Sequence, residues 1–265
     1  KAPENEIGDM SSTFNRLVNS LKSYADVAKS MAKGDFSEKV EIRSKDDILG
    51  KSMNQMVESF VSVVNQANKI AKGDYTAEIK PRSDNDSLGK ALYKITTTLR
   101  ENAIEIERQD WLKTGYNKLA DAMKGLSSID ALSEKLINFY CSYLNAHIGL
   151  FYIVEEDYLK LNSSWGVAEN NKQIKKKIIQ GEGLIGQVYK TKEPIIIDST
   201  SEYKLPEVDY GAGKKHVNSY IYYPLIHENK IIAVISLGLA ENNDDMKMEF
   251  IKNSVKDIAI TLVTL

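Results

Sequence analysis

Cysteine is almost missing from this chain: Cys141 is the only one in 265 residues. A lone cysteine excludes an intrachain disulfide and suits a reducing cytoplasm. It falls in an apolar helical stretch, which predicts a buried thiol rather than a reactive one. No apolar run approaches the roughly 18 residues of a membrane-crossing helix, and no stretch of the sequence reads as a signal peptide. His147, His216 and His227 have no metal-ligand spacing among themselves or with Cys141, so no metal site is expected. A net charge of −2 supplies no drive toward nucleic acid. The glycines from Gly181 to Gly186 lack the lysine and the strand-loop-helix setting of a phosphate loop. His227-Glu228 has the form of a phosphoacceptor pair but sits in a hairpin rather than on a dimerising helix. No catalytic residue and no cofactor is expected, and the cluster Lys172 to Lys177 reads as the solvated face of a helix.

A repeat stands against these absences. Residues 28–36, AKSMAKGDF, return 39 residues later as 67–75, ANKIAKGDY, and Leu49-Gly50-Lys51 returns as Leu88-Gly89-Lys90. Glu6-Ile7-Gly8 opens a third, partial copy. Periods of this size mark stacked supersecondary units. Apolar residues spaced alternately three and four run through Met10, Phe14, Leu17, Leu21, Tyr24 and Ala28, then through Leu49, Met53, Met56, Phe60, Val63, Ala67 and Ile70, then through Leu88, Leu92, Ile95 and Leu99. These are coiled-coil seams, and one narrow seam needs a second chain to bury it. The predicted dimer seam comprises Met10, Phe14, Leu17, Leu21, Met53, Met56, Phe60, Leu92, Ile95 and Leu99. Gly34 and Gly73 are placed to end helices in a left-handed conformation, and Asp47 and Asp86 are candidate N-caps. Phe36 with Val40, and Tyr75 with Ile79, give each extended connector two apolar anchors; Pro81 keeps the second from becoming helical.

Helix, connector with two hydrophobic anchors, acidic cap, helix: in this layout the chain resembles the HAMP domain, a parallel dimeric four-helix relay of bacterial receptors. Asn5-Glu6-Ile7-Gly8 is similar to that family's Asp-Glu-x-Gly motif; Asp47-Ile48-Leu49-Gly50 and Asp86-Ser87-Leu88-Gly89 lack its Glu. The resemblance implies a tandem array: residues 1–20 as the second half of a preceding unit, then units at 21–62 and 63–105.

After Leu99 the seam keeps phase to Ile106 and resumes at Leu112, a six-residue step that locally over- or underwinds a coiled coil. Residues 106–127 read as a coiled-coil linker. The stretch Glu105 to Gly115 also resembles the junction ahead of a sensor domain in some bacterial hybrid histidine kinases; Trp111 within it reads equally as a large seam residue.

From Ser127 the pattern changes. Ser128 or Asp130 caps a helix whose buried side is Leu132, Leu136, Ile137, Phe139, Tyr140 and Leu144. Strands are predicted at 147–154, 158–165, 194–197, 219–226 and 230–239, the last two joined by a hairpin at 227–230. A short helix opens near Gly181 and an amphipathic helix closes the chain at 246–265. This is an α+β pattern with an antiparallel sheet.

Residues 128–265 resemble a GAF domain, on the strength of Gly181 to Gly186, Pro194 to Asp198, Pro224-Leu225 and the strand Ile231 to Leu237. The resemblance implies a sheet flanked by helices and a pocket under a long loop, here Ser199 to Asn218, holding a small molecule. Phe151, Trp165, Leu184, Tyr203, Tyr210 and Tyr223 are the expected lining. The cyclic-nucleotide motif is absent, and Cys141 is not placed for bilin attachment.

Together the resemblances imply a non-enzymatic piece of a longer, dimeric bacterial transmembrane receptor, of sensor histidine kinase type, on the cytoplasmic side of the inner membrane. Its partners would be a second copy, a small ligand and a downstream output domain in the same chain, with no nucleic acid. The alternatives are a ligand-free GAF spacer and a fragment of a chemotaxis-type receptor.

Overall fold

The computed structural model describes residues 3–167, 174–199, 208–209 and 214–265. The chain divides into two compact units, 1–105 and 106–265.

The first unit is built from α1 (Pro3–Ala32), α2 (Ile48–Ala71) and the start of α3 (Ser87–Met123). The 39-residue sequence period is a structural period. Gly34 and Gly73 adopt φ of 84° and 80°, the left-handed conformation that stops α1 and α2. Beyond each, an aspartate starts the connector: Asp35 Oδ1 accepts from Ser37 N–H at 3.0 Å, and Asp74 Oδ1 from Thr76 N–H at 3.1 Å. The next helix is capped twice in the same way. Asp47 accepts from Gly50 N–H at 2.8 Å and Arg43 N–H at 3.2 Å; Asp86 accepts from Gly89 N–H and Arg82 N–H, both at 2.9 Å. A Cβ at Gly50 or Gly89 would lie within 3 Å of the capping carboxylate, which explains the glycine three residues past each cap.

The two repeats differ inside. Val27, Val40 and Val57 form a buried apolar layer with Tyr24, Met31, Phe36 and Met53 around it. Thirty-nine residues on, the layer reads Gln66, Ile79 and Thr96, with Ile79 and Thr96 buried and Thr96 Oγ1 bonded back to Leu92 O at 2.9 Å. Tyr24 donates to the Asp47 carboxylate at 3.0 Å; its counterpart Val63 cannot, and Asp86 is held by the Arg82 guanidinium instead. A groove of about 330 Å³, lined by residues including Ser59, Ser62, Val63, Gln66 and Arg82, opens where the first repeat places Tyr24 and Val27.

The second unit begins on the same helix. Residues 106–127, expected as a linker, are part of its packing: Leu112 and Leu119 are buried in its core. There follow α4 (Ile129–Tyr143), β1 (Ala146–Glu155), β2 (Tyr158–Trp165), β3 (Lys177–Ile179), α5 (Gly183–Thr191), β4 (Ile195–Asp198), the two-stranded ribbon β5 (Val208–Asp209) and β6 (Lys214–Lys215), then β7 (Ser219–His227), β8 (Lys230–Leu239) and α6 (Asp245–Thr264). The main sheet is antiparallel in the order β3-β2-β1-β8-β7-β4. The β7–β8 turn is tight because Glu228 and Asn229 both take positive φ, 45° and 64°, as a two-residue hairpin loop requires. Ser128 and Asp244 cap α4 and α6.

The lysine cluster is not a helix face. Lys177 opens β3 with its ammonium 3.4 Å from the centroid of the Tyr158 ring, and Lys175 pairs with Glu182. Strand pairing across the sheet edge overrides the helical spacing of these lysines; Lys172 lies outside the described residues.

Candidate functional site

Alternation along the strands sorts the second unit's side chains onto two faces. On one, Phe151, Ile221, Leu225, Ala233, Ile235 and Leu237 pack under α4 and α6, against Leu132, Leu136, Ile137, Phe250 and Ile258. Each such large side chain, fully withdrawn from water, contributes about 1.5–3 kcal/mol. Tyr140 ties the two helices through a 2.7 Å hydrogen bond with Ser254.

The opposite face carries Leu150, Tyr152, Leu159, Val188, Tyr189, Ile231 and Val234, and beside them Ile148, Val217 and Tyr220. Tyr220 and Tyr222 stack there, with ring centroids 6.0 Å apart and planes 10° from parallel. Gly238 lets them approach the sheet, since a Cβ would fall 2.5 Å from Ile148 and 3.0 Å from the Tyr220 ring. Tyr152 donates to Lys175 O at 2.9 Å, pinning the segment ahead of β3. Burial pushes the Tyr152 and Tyr222 phenols up to about 12, so both stay neutral at physiological pH. The cluster is apolar, and its hydroxyls are uncharged.

Among the described residues, the expected lining is divided between the helix face of the sheet and α5. Phe151 is fully buried on the helix face and Tyr223 packs beside the same core. Trp165 pairs with Gly149, hence shares that face at the strand's exposed end. Leu184 is exposed on α5, and Tyr203 and Tyr210 lie outside the described residues. Tyr152, Tyr220 and Tyr222 were missed. Period-two parity was the signal: each tyrosine of the cluster is next in sequence to a residue of the helix face.

The second candidate is the seam of the first unit. Met10, Phe14, Leu17, Leu21 and Ile95 stand 50–71% exposed in the single chain, and Met56 and Leu88 are also exposed. Met53, Phe60, Leu92 and Leu99 are half-buried, Phe60 because it stacks on Phe36 at 5.0 Å. Among the described residues no group of three or more histidines, cysteines or acids is placed to hold a metal, and no helix is long and apolar enough to cross a membrane.

Two family models match: a GAF domain over residues 127–263 and a HAMP domain over residues 25–61. No curated protein matches the chain. Similar solved structures include the GAF domain of an Acinetobacter phosphoenolpyruvate-protein phosphotransferase (15% identity, 60% of this chain and 93% of that one, TM-score 0.46). The GAF domain of the Coxiella burnetii phosphoenolpyruvate-protein phosphotransferase gives 17%, 58%, 93% and 0.48. The reduced form of fRMsr from Staphylococcus aureus gives 19%, 57%, 94% and 0.47.

Proposed function

Because the chain belongs to the GAF domain family and carries a HAMP domain ahead of its GAF domain, we propose that it is the relay and sensory region of a dimeric bacterial membrane receptor of the histidine kinase type. The combination of HAMP and GAF domains supports a signalling sensory region. The finer reading has its own supports. The caps at Asp47 and Asp86 argue that the matched HAMP unit is followed by a second, divergent one at 63–105. The Glu105 to Gly115 stretch, similar to the junction in hybrid histidine kinases, argues for that class of output.

The observation that carries the proposal is the exposed seam. An apolar stripe from Met10 to Leu21, taken up again at Met56, Leu88 and Ile95, costs free energy in water and gains it against a second copy. Analytical ultracentrifugation of the chain is expected to give a dimer. Leu17→Asp and Ile95→Asp should dissociate it with the protomer intact, because both side chains are exposed in the single chain. A concentration-independent monomer of the unsubstituted chain would overturn the reading.

The GAF unit admits a second reading as a ligand-free spacer. Tyr152 and Tyr220 are buried and Tyr222 is half-buried, which favours a face filled by the protein's own side chains.

A further inference from the structure

The six-residue step after Ile106 coincides with a change of partner. Up to Ile106 no apolar residue of α3 is buried: Leu92 and Leu99 are half-buried, and Ile104 and Ile106 are strongly exposed. From Arg108 a different stripe, Arg108, Trp111, Gly115 and Leu119, faces inward onto α4 and α6. With 3.6 residues per turn, an offset of two residues places it about half a turn from the seam.

This contact is dense and specific. Arg108 forms an ion pair with Glu249 on α6. The Trp111 ring stacks on Tyr143 of α4 at 4.7 Å and meets Phe250 of α6 edge-on at 5.6 Å. Tyr143 donates its hydroxyl to Trp111 O at 2.6 Å. Tyr116 stacks on Phe250 at 5.0 Å, and its hydroxyl accepts from Asn253 Nδ2 at 3.3 Å. Gly115 makes the approach possible: a Cβ there would lie 2.6 Å from the Tyr143 ring and 2.7 Å from the Phe250 ring. None of these residues belongs to the tyrosine face of the sheet.

We propose that this cluster is a latch joining the incoming helix α3 directly to the closing helix α6, so that a change in relay packing reaches α6 without passing through the sheet or its ligand face. A turn or shift of α3 must carry Trp111 and Tyr116 with it, and Phe250, wedged between them and Tyr143, moves α6. Close packing transmits such a displacement because a core filled to crystal density cannot absorb it. A ligand on the opposite face would then tune a signal already in transit. The proposal rests on the relay reading above.

Hydrogen–deuterium exchange on the whole chain tests both separately. Ile95→Asp disturbs the relay; its effect is read in peptides covering 106–123 and α6. The expected result is an increase of about threefold or more in exchange in both segments. In a Trp111→Ala, Tyr116→Ala background, which removes both rings of α3 that bear on Phe250, Ile95→Asp should still alter 106–123 but no longer α6, with α4, β1 and β8 protected as before. If that background loses protection throughout the sheet, Tyr116→Ala alone, which removes one half-buried ring from Phe250, should at least halve the α6 response. A change in 106–123 without one in α6 overturns the latch and leaves the relay standing. No change in either segment overturns the relay reading and the latch with it. An α6 response that survives the broken latch also overturns it, since the effect then travels through partner contacts.

Discussion

Asn54 grips the Val40 peptide with both ends of its carboxamide, Oδ1 accepting from Val40 N–H and Nδ2 donating to Val40 O, each at 2.9 Å. The first connector is thereby held as a strand would be held, with a side chain in place of a neighbouring strand. Thirty-nine residues on stands Tyr93, which is half-exposed and has no such pair of groups; the second connector is held by Arg100, whose guanidinium donates to Tyr75 O.

Asn54→Ala should therefore free one connector and not the other. Losing two part-buried hydrogen bonds costs about 1–2 kcal/mol locally, or roughly tenfold faster exchange of the Val40 amide. Tyr93→Ala should leave the Ile79 amide unchanged. Equal effects at the two positions would mean that the carboxamide does not fix the connector.

The second repeat depends more on its cap carboxylate. The Arg82 guanidinium first, then the backbone N–H groups of Arg82 and Gly89, hold the Asp86 carboxyl well below the usual range. For Asp47, the N–H groups of Gly50 and Arg43 lead, with a weaker contribution from Tyr24. A carboxyl depressed in the folded state stabilises fully above its unfolded value, about pH 4, and the effect is lost as pH falls toward the folded value. Helicity followed by circular dichroism should fall from about pH 4 downward, and Asp86→Asn should lower the melting temperature at pH 7 while flattening that acid dependence. An Asp86→Asn variant with the parent's acid profile would show that other carboxylates dominate.

Much of this architecture is written in local signals. Gly34, Gly73, Asp47 and Asp86 mark helix ends by conformation and hydrogen bonding that depend on neighbours in sequence, so the repeat is legible before any packing is known. Two strands, Tyr158–Trp165 and Lys230–Leu239, fall where the β-branched and aromatic runs place them. What stays hidden depends on distant partners. Lys177 becomes a strand residue only because β2 offers an edge, and Trp111 leaves the seam because α4 and α6 present Tyr143 and Phe250. The tyrosine face was missed for a smaller reason: Phe151 and Tyr223 have the chemistry of a lining, but the pleat turns their neighbours Tyr152 and Tyr222 toward the other face.

Cys141 lies 2% exposed on α4, and burial pushes its thiol up to about 12. Its sulfur fills the space a Cβ at Gly149 would take, 2.4 Å from that position. A thiolate-directed reagent should leave the folded chain unmodified at pH 8 and react once denaturant is added. Gly149→Ala should destabilise the second unit by about 1–3 kcal/mol through overpacking against Cys141 and Ile137. Rapid labelling of the native thiol would contradict this packing.

The sheet's tyrosine face gives the last prediction. If the GAF unit takes a small ligand, the uncharged phenols of Tyr152 and Tyr222 and the stacked Tyr220 ring favour a planar, mostly apolar molecule. Such a ligand, binding the folded state alone, raises the melting temperature by mass action, about 2.7 kcal/mol at a hundred times its Kd. Tyr222→Ala should abolish most of that shift because it removes the ring from the face, whereas Tyr223→Ala, on the helix face, should lower the melting temperature without changing the shift. A screen of planar aromatic metabolites by differential scanning fluorimetry reads both variants together. Loss of the shift in Tyr223→Ala with retention in Tyr222→Ala would place the ligand on the helix side, and a screen without any shift would favour the spacer reading.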